Sequence, residues 1–525
     1  MHRCLLVSEI FSLITDFSLD GTLHRKTGVY RLALTCKAFS EPALDALWRE
    51  IDGVLDLIHL LPEYVWDTDE GNSEATSCMA RETTEFDWSR FFVHAQRVRK
   101  LTFSSFSRKD LLQLVPSKTE NLDGNTVLRH IHQQCPHPKM LPNLLSLSWH
   151  DDVENIDIFI CPTLRNLALY SSVNYPGFIE LLNSNAPIIT ALTIDRWTNT
   201  SVPDAVIDAV SLATTRMEHL EAFHCGFNIR SNAFQYLSPL SQLRHMCAPL
   251  HSVDDPSFFF PAPTTFFPSI TSLVLRRSQS TLLCAFLSAM SSPFLDTIWL
   301  EVADTNPSTI LDALTILADH PSRDELESVC ISAYWDMILG GVPPESVALL
   351  TLRPLLTLEN VTDLDLAGIW WLDLGDEDLE EMAASMPQLT ALALGTSDGL
   401  IIHPRITPRG LIPLFYHCTL ERLGLVIDVG DNVPDSAFEL PRTRTRATRH
   451  ARRLRFLVFG NSRIGPTKVA ATATFLSELV PCLTTLTAWS ENTAHTLPDP
   501  IPHPPFLQRI IVEPSGRHVR PTNAS

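Results

Sequence analysis

The chain has 525 residues, of which 45% are hydrophobic and 19% charged, and its formal net charge is −20. This composition can bury a large core, which excludes global disorder. The acidic balance argues against broad nucleic-acid binding and against docking on anionic membranes, because both need a basic surface. The 11 cysteines include no C-x-x-C pair, which favours reduced thiols in a cytoplasmic or nuclear protein.

The first 62 residues are predicted to form a helical module. Apolar residues recur at helical spacing from Leu6 to Ile14, and Ser40-Glu41-Pro42 is a start signal for a later helix. We therefore expect a helix to begin near Ser40 and a further helical run over 54–61. Residues 63–96 are interpreted as an acidic linker and lead-in, and residues 514–525 as a disordered tail.

One local pattern, apolar-x-x-apolar-x-apolar, recurs fifteen times within residues 97–513, from Val98/Leu101/Phe103 to Leu507/Ile510/Val512. From Leu144 onward its mean period is about 28 residues, which is typical of leucine-rich repeats. Amphipathic runs of helical length, such as 204–213 and 469–479, lie between the copies. A short strand alternating with a helix at this period predicts an α/β fold, an irregular leucine-rich-repeat solenoid shaped like a horseshoe.

The N-terminal segment resembles the F-box family. The run Leu32-Ala-Leu-Thr-Cys36-Lys-Ala-Phe39-Ser-Glu-Pro42-Ala-Leu44-Asp-Ala-Leu47-Trp48 is similar to the second half of an F-box. The run Leu5-Leu6-Val7-Ser8-Glu9-Ile10 is similar to the first half, with Val7 where the family usually has proline. Together with the repeats that follow, the arrangement looks like that of fungal F-box proteins with leucine-rich repeats.

The resemblance implies a substrate receptor of an SCF-type cullin-RING ubiquitin ligase that has no enzymatic activity of its own. The F-box would dock on the Skp-type adaptor, and the repeats would hold a protein substrate. A module this small has more apolar side chains than it can bury by itself, so an adaptor surface is also a physical expectation. The residues expected to share this core and interface are Leu5, Leu6, Ile10, Leu13, Leu32, Cys36 and Trp48.

The alternative is a repeat scaffold unrelated to ubiquitination, in which the same helices only cap the open end of the solenoid. No catalytic motif is found, and no cofactor is expected. The spacing His130-x-His132-x-x-Cys135-x-His137 is too compact for an ordinary tetrahedral zinc site, so it is interpreted as a loop rather than a metal centre.

Side chains that flank the fourth position of the repeat pattern are expected to point away from the core, because successive strand residues alternate. Large aromatic and charged side chains on such a concave face are the usual anchors of protein interfaces, with ordinary solvated surface as the alternative for any one of them. The residues expected there are His150, Tyr170, Asp195, His224, Arg276, Trp299, Glu301, Asp363, Asp365, Arg422, Trp489 and Arg509. Trp370 and Trp371 follow a strand and are expected at the rim of the same face.

Overall fold

The computed structural model describes residues 13–15, 24–61, 88–104, 124–150, 155–170, 189–195, 202–250, 266–303, 306–333, 345–369, 372–395, 403–440, 452–460, 462 and 464–487. The chain divides into two units, Met1–Leu220 and Glu221–Ser525. Both units are built from leucine-rich repeats, in which short parallel strands alternate with helices and turns.

The first unit begins with a pair of helices, His24–Ala33 and Lys37–Arg49. Its described strands are parallel and follow one another in chain order: β1 Glu50–Asp52, β2 Lys100–Phe103, β3 Ser146–Trp149, β4 Asn166–Leu169 and β5 Ala191–Ile194. The other helices of this unit are Leu55–Ile58, Ser89–Ala95, Gly124–Gln134 and Asp204–Thr214, with a 3-10 turn at Ile156–Ile158.

The second unit repeats the arrangement over more strands. Its parallel strands are β6 Ala222–Cys225, β7 His245–Pro249, β8 Ser272–Ser278, β9 Thr297–Val302, β10 Ser328–Ala333, β12 Asp363–Leu366, β14 Ala391–Leu394, β15 Arg422–Leu425, β16 Phe456–Val458 and β17 Thr485–Thr487. A separate parallel pair is formed by β11 Val347–Ala348 and β13 Leu372–Asp373. The helices are Ser231–Leu237, Ser280–Ala289, Pro307–Ala318, Leu349–Leu352, Asp376–Ser385, Leu411–His417 and Val469–Leu479, and 3-10 turns occur at Arg353–Thr357, Pro408–Gly410 and Asp435–Phe438.

The repeat pattern predicted the strands correctly. Fourteen of the fifteen predicted copies fall within the described residues, and each contains a strand. The last copy, residues 507–512, lies outside them. In β9 the alternation is complete: Ile298, Leu300 and Val302 are buried, while the residues between them are half-buried. The predicted helical runs over 204–213 and 469–479 are confirmed as well.

Different side chains close the turns after the strands. The thiol of Cys225 donates to the carbonyl of Phe227 (3.1 Å). The hydroxyl of Ser462 accepts the backbone N–H of Ile427 (2.9 Å). These two turns therefore satisfy buried backbone groups with different residue types, so they need not share a sequence.

The second N-terminal helix begins earlier than predicted. It starts at Lys37 rather than near Ser40, so Pro42 lies inside it instead of in its first turn. The backbone N–H groups of Phe39 and Ser40 both donate to the carbonyl of Cys36. The extra turn places Phe39 on the same buried side as Ala43 and Ala46, and that burial outweighs the start signal at Ser40.

The first strand lies inside the range predicted as a helical module. β1 pairs in parallel with β2, with Ile51 in register with Leu101. Ile51 is buried at the position that leucine occupies in later repeats. The helices over 24–49 are therefore followed directly by repeat structure, and the helical run predicted over 54–61 is a single short helix, Leu55–Ile58.

Candidate functional site

The strand face of the second unit is the side of its sheet opposite the buried leucine positions. Side-chain alternation places every second strand residue there. Across β8, β9, β10 and β12, one row in register consists of Val274, Trp299, Cys330 and Asp365. The row two residues earlier, from β8 to β15, consists of Ser272, Thr297, Ser328, Asp363, Ala391 and Arg422. We call Trp299, Glu301, Cys330, Ser332, Asp363 and Asp365 the Trp299 patch.

Trp299 is the aromatic centre of this patch. Its indole Nε1–H donates to the hydroxyl of Ser332 on the neighbouring strand (3.0 Å). Because Ser332 pairs in register with Glu301, two residues beyond Trp299, the indole reaches diagonally across the boundary between β9 and β10. The ring is half-buried, and this hydrogen bond holds it in one orientation, which makes it a fixed aromatic surface on the strand face.

Glu301 is a half-buried carboxylate on the same strand as Trp299. Burial raises its pKa, while the nearby charge of Arg276 and a hydrogen bond from the backbone N–H of Arg277 (3.1 Å) lower it. The net direction is upward, so burial dominates over the neighbouring cations. The ionised form of Glu301 is therefore incompletely compensated within the protein.

Asp365 is a second half-buried carboxylate with the same imbalance. Its Oδ1 accepts the backbone N–H of Ala367 (2.8 Å), which closes the turn after β12. Burial raises the pKa of Asp365 more than this hydrogen bond and the charge of Arg422 lower it. Asp363, two residues earlier, forms an ion pair with the guanidinium of Arg422 (2.9 Å).

Cys330 lies among these acids. Burial raises the pKa of its thiol well above the ordinary range, and the charges of Asp365, Asp363 and Glu301 raise it further. A thiol in this state is not a nucleophile, because the thiolate is strongly disfavoured. The charges of three carboxylates act on this one side chain, so the patch is locally acidic.

The first unit has a different group at the ends of its strands. The rings of His150 and Tyr170 are stacked with their centroids 4.5 Å apart and their planes at 8°. Burial, and then the charge of Asp195, raise the pKa of Tyr170 to about 12. Tyr170 and Asp195 are both buried, so these two predicted partner-binding residues present little surface to a protein.

The N-terminal helix pair is attached to the repeat that follows it. Trp48 packs against the ring of His94, with centroids 4.6 Å apart. Arg97 forms ion pairs with Glu41 and Asp45 of the helix Lys37–Arg49. One side of the pair therefore covers the start of the repeats, which is the role expected of a cap.

Other apolar side chains of this N-terminal region are exposed. The pair has a small core of its own, Val29, Ala33, Phe39, Ala43 and Ala46. Outside it, Leu34 is 68% exposed, Tyr30 55% and Leu13 69%. Among the predicted adaptor-binding residues in the described part, Leu13 is thus exposed, whereas Leu32, Cys36 and Trp48 are half-buried. The side chains of Tyr30 and Leu34 were not predicted as interface residues.

Several predicted site residues lie outside the described residues, namely Leu5, Leu6, Ile10, Trp370, Trp371, Trp489 and Arg509. Of the others on the predicted concave face, Trp299, Glu301, Asp363 and Asp365 come together in the Trp299 patch, with Arg276 and Arg422 beside it. Cys330 and Ser332 were missed, because small residues carry no interface signal in a sequence. Only their register with the large residues of the adjacent strands identifies them.

His130 and His132 lie on the helix Gly124–Gln134 rather than in the predicted loop. Among the described residues, no three His, Cys, Asp or Glu side chains are grouped so that they could hold a metal ion. The ring of His137 packs edge-on against Phe92, with centroids 4.4 Å apart. In the same part of the chain, no helix is both long and apolar enough to cross a membrane.

Comparisons with known proteins give a fold likeness only. No family model and no curated protein matches the chain. Among solved structures it is similar to an internalin (InlF) from Listeria monocytogenes, with 13% identity, 74% of this chain and 90% of that chain covered, and a TM-score of 0.35. It is also similar to the yeast Rad7 and Elc1 complex, with 16% identity, 75% of this chain and 93% of that chain covered, and a TM-score of 0.35. A third similar structure is the leucine-rich-repeat-containing protein LegL7 from Legionella pneumophila, with 12% identity, 65% of this chain and 96% of that chain covered, and a TM-score of 0.31. Likenesses of this size carry nothing about function, which rests on the chain's own residues.

Proposed function

We propose that the protein is a substrate receptor of a cullin-RING ubiquitin ligase. In this proposal the N-terminal helices dock on a Skp-type adaptor, and the strand face of the repeats binds a protein substrate. The protein contributes proximity and no chemistry, because it holds substrate lysines at high effective concentration near the conjugating enzyme. The proposal begins from the resemblance of residues 5–48 to an F-box.

The observation that carries the proposal is the exposed apolar surface of the helix pair. Leu34 and Tyr30 are more than half exposed beside a core of only five buried side chains, in which Phe39 is the one large residue. A helix pair that served only as a cap would turn its large apolar side chains toward the repeats. Clustered exposed apolar residues are instead typical of a surface that binds a partner.

The test is capture of the purified Skp-type adaptor by the full-length chain and its point variants. We expect Leu34→Asp and Tyr30→Asp to abolish capture, because each places a charge in an apolar interface. The matched control is Leu350→Asp in the second unit, since Leu350 is equally exposed at 69%. Capture that persists in both N-terminal variants, or no capture by the unaltered chain, would contradict the proposal.

Point variants are sharper than removal of residues 1–50. That deletion would take away Glu41 and Asp45, the ion-pair partners of Arg97, and Trp48, which packs on His94. Loss of adaptor binding would then have a second explanation, namely unfolding of the first repeat after its covering contacts are removed. Circular dichroism of each point variant shows whether the helices and repeats are intact.

The second candidate is a repeat scaffold outside ubiquitination, with the helix pair as a cap. The contacts that favour it are the packing of Trp48 on His94 and the ion pairs of Arg97. In this case the unaltered chain would not capture the adaptor, while partners of the strand face would still bind.

A further inference from the structure

The Trp299 patch has the form of an aromatic surface flanked by carboxylates. The indole of Trp299 is fixed by its hydrogen bond to Ser332 and is partly open to solvent. Glu301 follows it on β9, and Asp365 lies two strands away on β12, in the same row as Trp299. Because neighbouring strands are about 4.8 Å apart, the row from Trp299 to Asp365 spans about 10 Å. The residue between them, Cys330, is small, so the indole and the carboxylates are the large side chains of the patch.

The two carboxylates keep unused binding capacity. Among the described residues, neither Glu301 nor Asp365 forms an ion pair, although Arg276 and Arg422 act on them through their charges. The guanidinium of Arg422 is already bonded to Asp363. A further cation placed between Glu301 and Asp365 would therefore meet acids that the protein's own cations leave incompletely neutralised.

We propose that the Trp299 patch is the docking site for an arginine side chain of the protein that the repeats bind. This inference rests on the substrate-binding half of the proposed function. A planar guanidinium stacks on an indole ring and presents several N–H donors in the same plane. Those donors form strong charge-assisted hydrogen bonds with carboxylates, and Glu301 and Asp365 supply carboxylates in the same patch. Lysine offers a point charge without the planar stacking, so arginine is the better match.

The experiment is a selection of nonapeptides on the full-length chain. The peptides carry arginine, lysine, citrulline or glutamate at the central position and random residues elsewhere. Citrulline has the shape of arginine without its charge. We expect the selection to yield peptides that carry arginine at the central position. Exchange of that arginine for citrulline should lower the affinity of each selected peptide at least tenfold.

The protein variants localise the effect. Trp299→Ala and Asp365→Asn should each weaken binding of the arginine peptide at least tenfold. Both variants should bind the citrulline peptide with nearly the affinity of the unaltered chain. The controls are Phe456→Ala, an exposed aromatic residue on the strand face at β16, and Asp312→Asn, an exposed acid on the helix Pro307–Ala318. Both controls should bind the arginine peptide like the unaltered chain, and circular dichroism checks that every variant is folded.

Two results would overturn the inference. One is a selection that yields no arginine-dependent peptide. The other is an arginine peptide whose affinity is the same in Trp299→Ala and Asp365→Asn as in the unaltered chain. Adaptor capture, measured on the same proteins, separates this failure from failure of the proposed function. Trp299→Ala should keep adaptor capture, and Leu34→Asp should keep peptide binding.

Discussion

The strand faces of the two units differ although their backbones and cores follow the same rule. In the first unit, one row in register across β2 to β5 consists of Thr102, Ser148, Ala168 and Thr193. In the second unit, the corresponding row across β9 to β12 consists of Trp299, Cys330 and Asp365. The first row is small and uncharged, whereas the second alternates large and small side chains and carries charge.

The comparison separates what folding requires from what binding requires. The buried positions are the same kind of residue in both units, as Leu101 and Leu147 show in one and Leu300 and Leu364 in the other. These residues supply the hydrophobic stabilisation, so the exposed positions can change without loss of the fold. The second unit carries half-buried acids on its face, and burial raises the pKa of both Glu301 and Asp365.

The largest expected effect contrasts Trp149, on the buried side of a strand in the first unit, with Trp299, on the strand face of the second unit. Trp149 is fully buried and stacks on Phe103 at 4.2 Å, so Trp149→Ala should destabilise the protein by about 3–5 kcal/mol. Trp299→Ala should cost less, about 2 kcal/mol, for the lost hydrogen bond to Ser332 and the lost packing of a half-buried ring. Denaturant unfolding measures both, and equal losses would mean that the strand face is part of the core.

A glycine beside the Trp299 patch gives the next effect. A Cβ on Gly368 would lie 2.6 Å from the Cβ of Ser332 and 3.0 Å from its Cα. Gly368→Ala should therefore push β10 and the turn after β12 apart and cost about 1–3 kcal/mol.

The matched control for this glycine is Gly375→Ala. Its Cβ would find the end of the Arg405 side chain at 3.4 Å, and that side chain can move. We expect little change in its unfolding midpoint. If Gly368→Ala changed the unfolding midpoint as little as Gly375→Ala, the close approach of the turn after β12 to Ser332 would not contribute to stability.

The pH dependence of Glu301→Gln tests whether the acid on the face is destabilising. Burial raises the folded-state pKa of Glu301 above its unfolded value, so its favourable contribution is present at low pH and is lost as pH rises through the folded pKa. Gln cannot ionise, and its oxygen still accepts the N–H of Arg277. Glu301→Gln should thus be more stable than the unaltered chain at pH 7, and the difference should shrink on acidification.

Unfolding midpoints of both proteins between pH 4 and pH 8 provide the measurement. Taking the difference between them removes the contribution of the buried histidines, which is the same in both. A variant that is less stable at pH 7, with a deficit that grows as pH rises, would show that ionised Glu301 stabilises the second unit.

The smallest effect is expected in the first unit. Lys100 and Glu50 form an ion pair on its strand face (3.2 Å), and Glu50 is well exposed to solvent. Lys100→Ala should change the free energy of unfolding by less than about 1 kcal/mol, because exposed ion pairs are screened. Unfolding at low and high salt measures this change. A loss above about 2 kcal/mol would mean that substitutions on this face cost as much stability as substitutions in the core.

Some features of the site could be predicted and others could not. Trp299, Glu301, Asp363 and Asp365 were predicted on the exposed face from local alternation alone, since a strand residue and its second neighbour share a side. Tyr170 was expected on that face too, but its stacking on His150 buries it. Alternation gives the side of the sheet that a residue occupies, whereas its exposure depends on neighbours from other repeats.

The sequence by itself determined the repeat architecture. Each strand depends on six consecutive residues, and the core positions recur often enough to be recognised without any long-range information. β1 was missed because its copy of the pattern is incomplete, with Gly53 at the last apolar position. The start of the helix Lys37–Arg49 was missed because burial of Phe39 outweighed a local capping signal.

Only the tertiary structure decided which side chains meet. The register between β9, β10 and β12 brings together residues from successive repeats, because it pairs Trp299 with Cys330, and Cys330 with Asp365. The aligned copies of the repeat pattern already place these three residues at equivalent positions, whereas the orientation of a side chain, such as the indole of Trp299 toward Ser332, depends on the assembled sheet. The same dependence applies to Leu34 and Tyr30, whose exposure follows from how the two N-terminal helices pack rather than from their hydrophobicity.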